Sequence, residues 1–372
     1  MTATLAGHVR NRAHQTPDGV AVRFKRLGIW HEVTWVQFWN DVQRAAQVLL
    51  QLGVAPGDRL AIVSENRYEW VVIDAATVAV RGATVGVDPT AEPAHVQAAL
   101  ASTRATVVVA ENSEQIDKVL AVAGRLPDLV HLCYLDGRGV PTQPDQTGWN
   151  DVYDDPRLRP WHGASDQAAD GVRERMDAAE PTDVVAVLPP SSELIATDAS
   201  CRIDAIAREV TPPPSDTDLV LPLVSLADDT ARACSSWLSA ATGMQLHVPE
   251  SVSTLRRDFR EVQPTLLFAP APVWERLAAD IEQRMAGASR LKRWAWRTWR
   301  PGGSPPAGAL ARALSVGDPS VIGRLVVHRS LRDRAGLRYL RHATYTGPLA
   351  PEVRSFFAGM GIALAREAPW NA

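Results

Sequence analysis

RLAIVSENRYEWVVIDAATVAVRGATVGV, residues 59–87, decides how the rest of the chain is read. Arg59 to Ser64 is a short apolar run that follows the turn Pro56-Gly57-Asp58, and it reads as a buried strand. Glu69 to Val80 reads as a helix, and Ala83 to Val87 as a second strand. Strand, helix and strand at such close intervals indicate a parallel pair joined by a right-handed crossover.

The same alternation extends both ways. Trp35 to Leu52 places Trp35, Phe38, Trp39, Val42, Ala45, Ala46 and Leu49 at helical spacing, with Thr34 as N-cap and Gly53 at C′. Downstream come a helix (93–102), a strand (105–110), a helix (116–124) and a strand (130–135). From Asp136 to Thr182 the glycines and prolines at 137, 139, 141, 144, 156 and 160 break the pattern and mark a connector. Alternation resumes at Asp183, with strands expected at 219–223, 244–248 and 265–268 and helices at 228–241 and 252–260. The expected division is a first α/β subdomain over 1–135, a connector over 136–182 and a second α/β subdomain over 183–372.

The chain has 372 residues, 46% hydrophobic and 22% charged, with a formal net charge of -3. That balance excludes a nucleic-acid binder driven by bulk charge. Cys133, Cys201 and Cys234 form no CxxC pair, and a sparse, odd set fits a reducing cytoplasm. The N-terminus has no uninterrupted apolar core, so no signal peptide is expected, and no apolar run has the ~18–20 residues of a membrane span. The nine histidines show no HExxH and no metal-ligand spacing, and neither GxSxG nor GxGxxG occurs. Glu111, Glu114 and Asp117 read as a solvated helix start rather than an acid/base pair. Arg290-Leu-Lys-Arg-Trp-Ala-Trp-Arg-Thr-Trp-Arg300 is basic and aromatic, which suits either a surface helix with tryptophans packed inward or a peripheral contact at the inner membrane surface.

VVAVLPPSSELIATDASCR, residues 184–202, stands where its flanks call for a phosphate-binding loop. Ser191, Ser192 and Thr197 supply hydroxyls, but the glycines and the lysine are missing. No glycine occurs between Gly171 and Gly243. Glycines let successive backbone amides converge on a phosphate, often with positive φ. Glu193 and Asp198 add negative charge. Each carboxylate about 4 Å from a phosphate charge costs about 4 kcal/mol at an effective dielectric near 20. Arg202 is the candidate replacement for the lysine.

Several stretches carry a resemblance, collinear along nearly the whole chain. They are Thr34 to Phe38, Gly53 to Asn66 with Trp70, Gly82-Ala83, Pro89-Thr90, Glu114 to Val119, Leu221-Pro222-Leu223, Arg260 to Thr265 with Val273 to Arg276, Leu337 to Arg341, and Pro348 to Val353 with Phe356-Phe357. Their order resembles the acyl-CoA synthetase branch of the AMP-binding, adenylate-forming superfamily, most closely the long-chain fatty-acid ligases. The resemblance implies an α/β fold of two flavodoxin-like parallel-sheet blocks, the second incomplete, with no C-terminal mobile domain.

The family's catalytic signatures are altered. Its phosphate loop, rich in Ser, Thr and Gly and closing on Pro-Lys-Gly, corresponds here to Leu188–Arg202, so Ser191, Ser192, Thr197 and Arg202 mark a vestigial phosphate site. Its histidine after Leu-Pro-Leu-Ala is Ser225, and its Pro-Arg pair is Ala271-Pro272. The glycine pair that packs on adenine is Tyr345-Thr346, followed by Gly347. In place of the Tyr-Gly-x-Thr-Glu motif that helps hold Mg²⁺ the chain reads Arg366 to Ala372. The resemblance therefore implies a degenerate synthetase homologue, inactive alone. Such a chain would be a scaffold, regulatory or complex-forming subunit in lipid metabolism, with a second copy or a full-length relative as partner and no cofactor. Two alternatives stay open. One is an AMP-forming long-chain fatty-acid–CoA ligase using ATP and Mg²⁺. The other is an acyl-binding protein with Trp237, Leu238, Phe268 and Trp274 along a channel.

Overall fold

The structure, a computed structural model, describes residues 4–136, 138, 166–180, 182–189, 193–196, 203, 206–208, 210–287, 290 and 329–366. The chain divides into two units: Met1–Asp216 with Ser225–Val252, and Thr217–Val224 with Ser253–Ala372.

Unit 1 begins with α1 (Leu5–Gln15), a hairpin of β1 (Val20–Arg26) and β2 (Ile29–Thr34), and α2 (Trp35–Gln51). Then β3 (Arg59–Val63), α3 (Tyr68–Ala79), β4 (Ala83–Val87), α4 (Pro93–Thr103), β5 (Val107–Ala110), α5 (Ser113–Ala123) and β6 (His131–Tyr134) alternate. After α6 (Asp166–Asp177) come β7 (Val184–Leu188) and β8 (Glu193–Ala196). The strand order is β6-β5-β3-β4-β7-β8, parallel throughout except for β8, which runs antiparallel to β7. The helical segment α7 (Asp229–Arg232, Ala233–Trp237, Leu238–Thr242) leads into β10 (Gln245–Val248). β1 lies between β10, which is parallel to it, and β2, which is antiparallel.

Local chemistry explains these elements. Thr34 closes a capping box on α2: its hydroxyl accepts the Gln37 amide at 3.4 Å, and Gln37 Oε1 accepts the Thr34 amide at 2.9 Å. Gly86 in β4 is required by close approach, since a Cβ there would stand 2.5 Å from Ala227 Cα. α3 is buried from Trp70 to Ala79, Asp74 included. Asp74 is compensated inside the core: Trp237 Nε1 donates to Oδ2 at 2.8 Å, and Arg232 Nη1 lies 3.7 Å from Oδ1. The Arg232 guanidinium stands over the Trp70 and Trp237 rings at 5.6 and 5.4 Å.

Two features differ from the sequence reading. The alternation that resumes at Asp183 opens no new sheet, because β7 pairs with β4. Arg81 fixes the start of β7 beside β4, donating twice to Asp183 at 2.8 Å. Residues up to Asp216, and again Ser225–Val252, thus fall in unit 1. The expected regular helix over 228–241 contains a π-helical turn at Ala233–Trp237. There the Ser235 and Ser236 hydroxyls donate to the carbonyls of Ala231 and Arg232, competing with the backbone ladder.

Unit 2 contains β9 (Leu219–Val220), α8 (Leu255–Val262), β11 (Leu266–Pro270), α9 (Ala271–Ala286), α10 (Arg329–Ala335), β12 (His342–Thr346), α11 (Pro351–Gly359) and β13 (Leu364–Arg366). Its strands run parallel in the order β13-β12-β11-β9. Their amino ends are tied by Asp218, which accepts Arg341 at 2.8 and 2.6 Å and the Thr265 hydroxyl at 2.8 Å. The core centres on Trp274, edge-on to Phe357 at 5.0 Å and donating to the Thr344 carbonyl at 2.9 Å.

Candidate functional site

Parallel strands present their carboxyl ends along one edge, and ligands enter where successive crossovers turn to opposite sides. In unit 1 that place lies between β3 and β5: the chain goes from β3 to β4 on one side, then back across to β5 on the other. A cleft of about 1010 Å³ opens there. It is walled by Asn66, Arg67, Tyr68 and Glu69 beyond β3, Glu111 and Asn112 beyond β5, and Tyr134, Leu135 and Asp136 at the end of β6. Phe24 to Leu27 of the hairpin, Asp41, Val72, Arg138 and Val248 to Glu250 complete the wall.

The charges in the cleft are mutually engaged. Arg67 lies 3.3 Å from both Glu69 and Glu111. Glu111 also accepts the Glu65 amide at 2.8 Å and the Ser64 hydroxyl at 3.4 Å. Burial opposes the charge on Arg67, but its two carboxylate partners outweigh that and raise its pKa. Arg138 grips Asp136 and holds its carboxyl at about 2. Tyr68 donates to Asp41 at 2.6 Å, and burial followed by the Asp41 charge pushes its phenol far above the usual range. Phe24 stacks on Tyr68 and His31, with ring centroids 5.1 and 5.2 Å apart. The buried Lys25 ammonium lies 5.3 Å from the Trp30 ring. Carboxylates locked to arginine and a phenol locked in its protonated form suit the binding of a polar ligand rather than proton transfer.

Glu111 was expected at a solvated helix start. Instead its carboxylate ties the end of β3 to the end of β5 and lies 15% exposed. Nothing in its sequence neighbourhood marks that role, because its partners at 64, 65 and 67 are distant in the chain. The buried pair of Asp74 and Arg232 is hidden in the sequence for the same reason.

Of the expected phosphate site, Ser191, Ser192, Thr197 and Arg202 lie outside the described residues. The flanks are described and differ from expectation. Glu193 begins β8 instead of lying within a long loop, and Leu188 pairs with Glu193. Four residues, 189–192, therefore join the two strands. Ser225 accepts the Ala227 amide at 3.1 Å. At the expected adenine position in unit 2, Tyr345 and Thr346 end β12 and Gly347 follows with φ +81. The Tyr345 side chain packs in the core at 5% exposure.

Trp237, Leu238, Phe268 and Trp274 are all core residues, and both tryptophans donate their indole N–H inside it. Burial pushes the Cys133 thiol up to about 12, and Cys234 is buried and unbridged. Cys201 and Arg290–Arg300, beyond Arg290 itself, lie outside the described residues. Among the described residues no cluster of His, Cys, Asp and Glu could hold a metal ion, and no helix is long and apolar enough to cross a membrane.

The family of AMP-binding enzymes matches residues 9–192. The long-chain-fatty-acid–CoA ligase FadD15 of Mycobacterium bovis is 34% identical over 128 residues, which is 34% of this chain and 21% of that protein. The long-chain-fatty-acid–CoA ligase ACSBG1 of Rattus norvegicus is 23% identical over 365 residues, covering 92% of this chain and 48% of the relative. The chain thus spans half or less of the curated relatives it matches. The A-PCP didomain of carboxylic acid reductase from Segniliparus rugosus in complex with AMP superposes with a TM-score of 0.67 at 15% identity, covering 98% of this chain and 52% of that one. The anthranilate CoA ligase AuaEII in complex with anthranoyl-AMP gives 0.66 at 14% identity, covering 98% and 58%. The chain resembles the N-terminal part of long-chain acyl-CoA synthetases in sequence and has the α/β fold of adenylate-forming enzymes.

Proposed function

We propose that this chain does not activate acyl groups by itself and acts in lipid metabolism as a non-catalytic, complex-forming relative of the acyl-CoA synthetases. One observation carries the reading: β7 and β8 are joined by only residues 189–192. Pro189 and Pro190 have no amide hydrogen, which leaves Ser191 and Ser192 as backbone donors. A triphosphate needs several converging amides and a cation, because adenylation rests on positioning and charge stabilisation. The buried Tyr345 ring, standing where the synthetases have a glycine, agrees with this reading.

The partner is a second copy or a full-length synthetase relative. Light scattering on the purified chain, then affinity capture from the source cell, identifies which; a partner-free monomer in both removes this part of the reading.

The alternative is AMP-forming long-chain fatty-acid–CoA ligase activity. The names of the curated relatives favour it. Calorimetry with ATP and Mg²⁺, alongside fatty-acid-dependent pyrophosphate exchange, separates the two. The non-catalytic reading predicts no binding tighter than ~1 mM and no exchange. Exchange above background would establish the ligase.

A further inference from the structure

Inside unit 1, Arg232 Nη1 and Asp74 Oδ1 face each other at 3.7 Å on side chains that are 1% and 0% exposed. Among the described residues neither atom has a hydrogen-bond partner. Their separation exceeds the ~2.7–3.2 Å of an N–H···O bond. The two groups attract each other as charges without bonding. A buried charge is tolerated when its remaining donors and acceptors are satisfied, because each unmet polar group in a low-dielectric interior is costly. A third unmet atom belongs to the same cluster. Trp70 is 0% exposed, and its Nε1 has no partner among the described residues. Trp70 and Asp74 stand one turn apart on α3, and the Arg232 guanidinium lies 5.6 Å from the Trp70 ring.

The neighbours hold this gap open. Trp237 Nε1 donates to the other carboxylate oxygen, Asp74 Oδ2, at 2.8 Å, so swinging the carboxylate toward Arg232 would sacrifice that bond. The guanidinium is fixed in turn by the two indole rings it stands over, Trp70 and Trp237. Two N–H donors and one carboxylate acceptor are thus left unmet in one small region between α3 and α7. The chemistry of that region selects its occupant. Chloride there would lie against the Asp74 carboxylate, and a metal cation against the guanidinium. Water is uncharged, accepts and donates, and is the usual partner of buried polar groups that the chain itself leaves unsatisfied.

We propose that Asp74, Arg232 and Trp70 form an internal binding site for one water molecule. The water accepts from Arg232 Nη1 and Trp70 Nε1 and donates to Asp74 Oδ1. It is the third member of the buried pair and links α3 to α7 where the charges alone do not bond. None of its three protein partners lines the cleft. The proposal is therefore independent of what the cleft binds and of whether the chain handles ATP.

The experiment is a crystal structure of the full chain at a resolution that shows ordered water, paired with oxygen-17 relaxation dispersion of water in solution. The expected density is a peak about 2.7–3.2 Å from both Arg232 Nη1 and Asp74 Oδ1. In solution R232M is expected to lose at least one long-lived water relative to the wild type. Should R232M fail to fold, W70F serves, since it keeps a ring beneath the guanidinium and deletes the indole N–H. It is expected to shorten the residence time of that water about fivefold, the worth of one hydrogen bond. Three results overturn the proposal: a direct Arg232–Asp74 hydrogen bond with no water touching either atom, a peak that a bromide soak replaces with anomalous signal, or a dispersion identical in the wild type and a folded variant.

Discussion

Replacing Arg232 with methionine tests whether the core of unit 1 is held by charge as well as by apolar packing. The side chain is 1% exposed and Asp74 0%, so the substitution leaves a carboxylate sealed from water. At 3.7 Å a pair of opposite charges is worth about 4 kcal/mol at an effective dielectric of 20. Breaking a buried pair by removing one partner typically costs about 3–5 kcal/mol. The stacking over Trp70 and Trp237 is lost as well, and methionine recovers part of that packing. The expected loss is about 4 kcal/mol, a large share of the ~5–15 kcal/mol that holds a domain folded. The double variant D74N/R232M removes both charges and keeps an acceptor for Trp237 Nε1, so it should lie within about 2 kcal/mol of the wild type. Urea unfolding followed by tryptophan fluorescence reads all three proteins, with Trp70 and Trp237 as local reporters. A loss below about 1 kcal/mol in R232M, or a double variant as unstable as R232M itself, would refute the argument.

Two further outcomes follow from buried groups in unit 1. Burial, and less strongly the Arg23 charge, hold His247 at about 4 against the Gln245 carbonyl, which acts the other way. Between that value and ~6.5 the unfolded chain binds the extra proton, so stability falls as pH drops through this window, by up to about 3 kcal/mol. Unfolding free energies at pH 7 and pH 4 should differ less in H247F, and an unchanged difference counts against the assignment. Gly86→Ala forces a Cβ to within 2.5 Å of the Ala227 backbone, and the melting transition should fall by an amount corresponding to about 1–3 kcal/mol. An unshifted transition would show that the 225–228 turn yields freely.

The sequence shows clearly what is local. β3, α3 and β4 have strong patterns because they are buried over most of their length, and Thr34 with Gln37 announces the start of α2 within four residues. The β1–β2 hairpin is hidden because its tip is Leu27-Gly28, with φ of 50 and 76, where Asn-Gly or Asp-Gly would have signalled the turn. β8 falls in a stretch whose serines and prolines suggest a loop, and only pairing with β7 makes it a strand. The cleft is the least legible part. Its residues come from turns far apart in the chain, and the roles of Arg67, Glu111 and Asp136 depend on a strand order that no single segment encodes.

The way residues 225–252 complete unit 1 has a consequence for how the protein is made. β1, made well before β10, waits for it as its parallel neighbour, and Asp74 waits for Arg232 and Trp237. Until Val252 emerges, the nascent chain holds an unneutralised acid in its forming interior and an open strand side. A fragment ending at Asp216 inherits that condition permanently, so limited proteolysis should release a stable early piece only when the cut falls beyond Val252.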